Sequence, residues 1–205
     1  MRKVFLVVGV AVLAVAPLLF SIGPAAAWVC PRPGESPPDF LTGGGFIINA
    51  TGATPGAHAN FVVGGACKDG GDGHGLWGHL EYIDHGTGLN VHWETITAYL
   101  NDVIAGDPEA RVICGTARTN QFGDGEHFAV RAADHGEPGR GVDQFDILVT
   151  HTDPTTGTEV IDYSTNPDTF PQLLAGGNIQ LHKPIRITTT FAESCPALAA
   201  VGISI

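Results

Sequence analysis

Four carboxylates, Asp134, Glu137, Asp143 and Asp146, gather around a Gly136-Glu137-Pro138-Gly139 turn. Calcium prefers several oxygen ligands, and loop carboxylates with backbone carbonyls supply them. Asp134, Glu137 and Asp143 are therefore candidate calcium ligands, and calcium the candidate cofactor. The favoured competing reading is a structural turn. Pro138 presets φ, Gly139 and Gly141 allow bends, and Asp134 bonds nearby amides. Asp146 is expected to alternate outward to solvent from the Phe145 row. A second acidic loop, residues 69–75, carries Gly70-Gly71-Asp72-Gly73-His74-Gly75 only once. Calcium-binding glycine repeats come in tandem and need Asp where Gly75 stands, so this segment reads as a flexible loop.

Imidazoles and carboxylates also concentrate between His74 and Glu94. A hairpin here would put His79, Glu81 and His92 or Glu94 on one face, because alternate strand residues share a side. Three such groups could hold a transition metal, the basis for a metal-dependent hydrolase. Neither HxH nor HExxH occurs, and polar residues opposite an apolar row are ordinarily a solvated face. Glu81 and Glu94 would form an acid/base pair on a glycan only at roughly 5–10 Å separation, a distance the sequence does not supply. No GxSxG elbow surrounds Ser36, Ser164, Ser194 or Ser204, so a serine nucleophile has no support. Asn49-Ala50-Thr51 is a glycosylation sequon, meaningful only in a host that glycosylates its exports. Trp93 and Tyr99 share a row with Val91 and read as core, whereas Trp77, beside a flexible loop, reads as the exposed aromatic.

The elements that must position these groups are strands. Val91, Trp93, Thr95, Thr97 and Tyr99 form one row, with His92 and Glu94 on the other. Phe128, Val130 and Ala132 alternate with His127, Ala129 and Arg131; Phe145, Ile147 and Val149 alternate with Asp146, Leu148 and Thr150. This two-residue period marks half-buried strands. Turn residues separate them, as in His85-Gly86-Thr87-Gly88, Gly123-Asp124-Gly125 and Asp153-Pro154-Thr155-Thr156-Gly157. The expected fold is all-β: one antiparallel sandwich or meander barrel of about 8–10 strands. The Gly-rich segments 43–48 and 176–182 are expected to pair and close the sheet, removing exposed edges.

The chain opens like a secretory leader, with basic Arg2 and Lys3, an apolar stretch over residues 4–20 and Ala25-Ala26-Ala27. Cleavage is expected after Ala27; the Gly23-Pro24 break and the Pro-rich stretch beyond argue against a retained anchor. Residues 28–41 then form an extended entry segment, 42–190 the β domain and 191–205 a C-terminal tail. Loss of the leader's two bases moves the formal charge from −11 to −13. No basic block remains to track a phosphate backbone or an anionic membrane, which argues against nucleic acid and such surfaces as partners, and no stable membrane insertion is expected once the leader is cleaved. An even cysteine count in an exported chain points to two disulfides. Of three connectivities, Cys30–Cys195 tying the termini and Cys67–Cys114 joining strands is preferred.

Thr42-Gly43-Gly44-Gly45, Gly78-His79-Leu80-Glu81-Tyr82-Ile83-Asp84-His85, Asp134-His135-Gly136-Glu137-Pro138-Gly139 with Asp143-Gln144-Phe145-Asp146-Ile147, and Gly176-Gly177-Asn178-Ile179-Gln180-Leu181-His182 occur in that order. Together they resemble the post-COAP-type domain over roughly residues 42–183. The resemblance implies a secreted or surface-associated bacterial β domain and brings no catalytic residues. The resulting expectation is a non-catalytic extracellular binding or structural module, its partner an extracellular protein or glycan. The alternatives are a secreted metal-dependent hydrolase using His79, Glu81 and His92, and a small-ligand-binding barrel.

Overall fold

A computed structural model describes residues 39–49, 54–67, 76–165, 172–182, 191–192 and 195–203. The expected leader, Cys30, the Pro-rich entry before Asp39 and the 68–75 loop lie outside the described residues. Nine strands appear in chain order: β1 (Phe40–Asn49), β2 (Ala57–Cys67), β3 (Leu76–Asp84), β4 (Leu89–Asn101), β5 (Ala110–Thr119), β6 (Gly123–Ala133), β7 (Gln144–Thr152), β8 (Glu159–Ser164) and β9 (Gly176–His182). A two-residue β10 (Phe191–Ala192) and one helical turn, α1 (Pro196–Ala199), follow.

The strands form one antiparallel meander in which β1 to β7 each pair with the next and β9 returns to pair with β1. This bears out the all-β antiparallel expectation and the pairing of the two Gly-rich segments. Side chains explain why glycine stands at that seam. Gly177 has φ +102°, and a Cβ there would lie 2.2 Å from the Gly44 carbonyl oxygen. Only glycine allows that backbone and that approach. Backbone pairing does not close the ring, however: β8 and β9 remain the two ends of the strand order.

The sheet curls into a half-barrel so that β2 and β3 face β7. Phe61 stacks on Phe145 with ring centroids 3.8 Å apart, and Tyr82 lies over the same ring at 6.1 Å. One alternating set of side chains fills this concave interior, including Leu41, Ile47, Leu80, Val91, Tyr99, Phe128, Ile147 and Ile179. The other set is solvated over β1 to β3 but covered over β4 to β7. There Ala98, Leu100, Val112, Cys114, Ala129 and Leu148 pack beneath Cys195, Ala197 and Leu198. Residues 195–198 are thus the lid of a second, outer core, and β10 pairs with β4 at Ala98 and Tyr99.

The lid is stapled. Cys114 on β5 bonds Cys195, with Cα atoms 5.4 Å apart across 81 residues of sequence. This corrects both preferred pairings, since Cys114 cannot also hold Cys67 nor Cys195 hold Cys30. The physical reason is facial: Cys114 points to the convex side, where the C-terminal segment docks. In the chain-entropy account, a cross-link closing a loop of this length removes denatured-state entropy worth about 4.5 kcal/mol. Cys195→Ser is expected to lose about that much in urea unfolding, with the loss concentrated in earlier amide exchange of residues 195–203. Unchanged stability would show that the staple contributes nothing.

Candidate functional site

The expected calcium loop runs from β6 to β7, and its carboxylates serve the backbone. Asp143 is fully buried; its Oδ1 accepts from the His135 and Gly136 amides at 2.9 and 3.3 Å, and its Oδ2 from the Ile179 amide at 2.7 Å. Asp134 Oδ2 accepts from the Leu181 amide at 2.8 Å. Glu137 Oε1 accepts from the Asn178 side-chain N–H at 2.9 Å, while Asn178 Oδ1 accepts from the Gly139 amide at 2.7 Å. Ile179 and Leu181 are alternate residues of β9, so their N–H groups point from its unpaired edge. Asp134 and Asp143 therefore replace a missing neighbour strand. The calcium reading gains no support from this geometry: the three carboxylates accept from amides, and among the described residues they are not gathered as a ligand group. Gly139 belongs to the same fit, because a Cβ there would fall 1.9 Å from Asp143 Oδ2.

Asp146 was expected in solvent and is instead 1% exposed, because the convex face of β7 is covered. Its Oδ2 accepts from the Gln172 amide at 3.3 Å, and its Oδ1 has no hydrogen-bond partner among the described residues. Burial raises its pKa from the ordinary 3.8 to about 7, against the opposing pull of the Gln172 bond and the Arg131 charge. Arg131 itself bonds Asp102 at 3.0 Å, Gln144 at 2.8 Å and Asp107 at 3.3 Å. A second buried guanidinium, Arg111, pairs bidentately with Asp39, which also accepts from the Tyr99 hydroxyl at 2.8 Å. Burial opposes the Arg111 charge, and the Asp39 bonds and charge outweigh it, raising its pKa. Burial, then the charge of Asp39, drives the Tyr99 hydroxyl upward as well.

Of the suspected His79, Glu81 and His92 centre, only two members meet. Glu81 stands opposite His92 in the β3–β4 ladder, and His92 Nδ1 bonds Glu81 Oε1 on the half-exposed convex face. His79 turns edge-on to Trp77, ring centroids 5.7 Å apart, and stays out of the pair. Glu94 is an exposed residue at a bulge between Trp93 and Thr95. Trp77 is 39% exposed, as its sequence context implied, and Tyr99 is buried.

The group that sequence reasoning missed spans three strands. Glu126 on β6, His151 on β7 and Asp162 on β8 bring one ligand atom each within 4.8 Å of one another. Glu126 lies one residue beyond the paired His127 and Thr150, so it falls beside His151. Asp162 is the extra residue of a β-bulge: Tyr163 pairs with Val149 and Ile161 with Thr150, leaving Asp162 without a ladder partner. Bulges re-aim side chains in this way. His151 Nδ1 lies 2.9 and 2.7 Å from the two Asp162 oxygens. Glu126 is 7% exposed, and its Oε2 has no hydrogen-bond partner among the described residues. Burial, then its hydrogen bond to Asp162, raises the Glu126 pKa to about 7. The Asp162 bond in turn raises the pKa of His151. A faint signal was present: Glu126 and His151 continue the apolar rows of Phe128 and Val149, where polar side chains are out of place.

No protein-family model matches this chain, and neither a curated protein nor a solved structure does.

Two variants separate these roles. Asp143→Ala leaves three amides without their acceptor and is expected to cost about 3 kcal/mol in urea unfolding, with accelerated amide exchange at Ile179. A cost under about 0.5 kcal/mol would remove the strap from the account of the fold. Asp146 holds its proton in the folded chain up to a higher pH than in the unfolded one. Its contribution to stability therefore falls as pH rises from about 4 to about 7 and is level above that. Asp146→Asn should accordingly be more stable than the parent at pH 8, by on the order of 4 kcal/mol, with the difference vanishing near pH 4. Melting curves across that range check the sign.

Proposed function

We propose that this chain is an exported, non-catalytic β module that binds or supports an extracellular protein or glycan through its outer surface. The observation that carries this reading is the buried aromatic cluster inside the half-barrel. Phe61, Tyr82, Phe145 and Tyr163 occupy the space that a carried ligand would need, and all are buried. The polar groups among them are bonded to each other. The Tyr163 hydroxyl donates to Asp84 Oδ2 at 2.9 Å and also meets the Tyr82 hydroxyl, while Asp84 Oδ1 takes the Gly86 amide at 2.7 Å. These bonds tie β3 and its turn to β8.

The leader-like start, the acidic surface and the likeness to post-COAP-type domains support an extracellular setting. Both buried arginines are held by Asp39 or by Asp102 and Asp107, so neither offers its guanidinium to an outside anion. The solvated convex face of β2 and β3 carries Val62, Trp77 and Ile83 in partial exposure. Side chains of that kind suit the apolar face of a sugar ring or a flat protein surface.

The test is made on chain recovered from the medium of an exporting bacterium. Its intact mass should begin at Trp28, and thiol titration of the unfolded chain should find none free. Chromogenic ester, phosphoester and glycoside substrates should show no turnover above the blank. Turnover that disappears in Glu81→Gln would replace this reading with the hydrolase. A chain retained inside the cell with its leader intact would end the exported one.

A further inference from the structure

Where three strands pass the end of the concave face, Glu126, His151 and Asp162 form a cluster whose one cross-strand pair, His151 with Asp162, leaves Glu126 unexplained. Asp134, Asp143, Asp39 and Asp102 each satisfy an amide or an arginine. This cluster does neither. Two carboxyls stand side by side, one imidazole is shared with the second, and the remaining Glu126 oxygen is buried without a hydrogen-bond partner. We propose that Glu126, His151 and Asp162 bind a divalent transition metal, with zinc as the cation of best fit.

The ligand set argues for that class of ion. One imidazole with two carboxylates mixes a borderline nitrogen donor with hard oxygens, a set that zinc, cobalt and manganese accept. Calcium, with its six to eight oxygen ligands, and magnesium, which seldom takes imidazole, suit it less. Two ligand atoms each about 2.1 Å from a tetrahedral zinc stand about 3.4 Å apart. His151 and Asp162 are already slightly closer than that, and Glu126 lies within 4.8 Å of both, so side-chain rotation alone can complete the triangle. Three protein ligands would leave a fourth position open to water.

The surroundings favour a cation. Glu159 and Asp153 add their negative charge to Glu126 and His151 respectively. Below the cluster lie the apolar rows that begin at Phe128 and Val149, where charge interactions are stronger than in water. Glu126 and Asp162 share a hydrogen bond there, and a bound dication would take the place of the shared proton. The Asp162 bulge supplies the local signature, since it spends one unpaired residue on aiming this carboxylate.

The experiment uses the oxidised, exported chain, so that no thiol competes, and zinc chloride as the probe. Calorimetric titration should saturate at one zinc per chain, and zinc should raise the melting temperature. Glu126→Gln and His151→Asn should each weaken binding at least about tenfold and abolish the thermal shift. Glu126→Gln should melt no lower than the parent without metal, because its side-chain amide can keep the hydrogen bond to Asp162; this distinguishes a lost ligand from a damaged fold. His58 and His85, whose rings stand 5.7 Å apart, are the rival zinc site, and His85→Asn should leave binding unchanged. Calcium should compete at least about tenfold less well than zinc. The proposal fails if no saturable binding is seen up to about 100 µM zinc, or if Glu126→Gln and His151→Asn bind as the parent does.

Discussion

A meander that curls without closing leaves two strand edges, and each exposed edge amide is a donor that must find an acceptor or meet another chain. In this fold the problem is sharpest at β9, which pairs with β1 on one side only. The loop between β6 and β7 solves it with side chains. Asp143 and Asp134 present carboxylate oxygens to Ile179 and Leu181 at the two-residue interval of the strand, so that a loop reproduces the acceptor pattern of a neighbour. The segment 172–174 extends the same repair: Gly141 donates to the Leu174 carbonyl, and Leu174 to that of Asp143. Curvature, the glycine seam between β1 and β9, and the stacked interior all presuppose that this end of the sheet is held.

Charge buried elsewhere follows the same economy of donors and acceptors. Taking an arginine out of water costs several kcal/mol unless every N–H is met. Arg111 meets Asp39 and two backbone carbonyls, Pro108 and Ala110, and Arg131 meets Asp102, Asp107 and Gln144. Such pairs add less net stability than their Coulomb energy suggests, and their value here lies in register. Asp39 reaches Arg111 across 72 residues, and Asp102 and Asp107 tie the β4–β5 loop to β6. A strand shifted by one residue would strand these charges without partners, which penalises the misfolded register more than it rewards the correct one.

The alternating rows of residues such as Phe128 and Phe145 were legible because a strand buries one face and the period is two. What alternation does not reveal is whether the opposite face is covered. Asp146 and Leu148 were assigned outward by parity, correctly, yet outward is buried over β7 because residues 195–198 lie on it. The cysteine pairing failed for the same reason, since nothing near Cys114 in the chain announces that the C-terminus docks against its strand. The Asp134 to Asp143 loop was recognised as special, and the structural-turn reading came closer than calcium. Its true partners, Ile179 and Leu181, lie some forty residues away and cannot be inferred from the loop's own chemistry.

Glu126, His151 and Asp162 were illegible for a different reason. No spacing joins them, because their approach depends on two strand registers and one bulge. Without the bulge, the residue neighbouring His151 on its own face would come from the alternation of Val160 and Asp162, and the carboxylate would not be re-aimed. Sheets hold side chains more rigidly than loops do, so a site assembled across β6, β7 and β8 inherits its geometry from the ladder. It also sits where the apolar rows of those strands run out, with low dielectric on one side and water on the other. Farther inward the carboxyls would simply keep their protons; farther outward water would screen them. Only at this margin can the pair remain ionisable and still interact strongly enough to prefer a doubly charged partner.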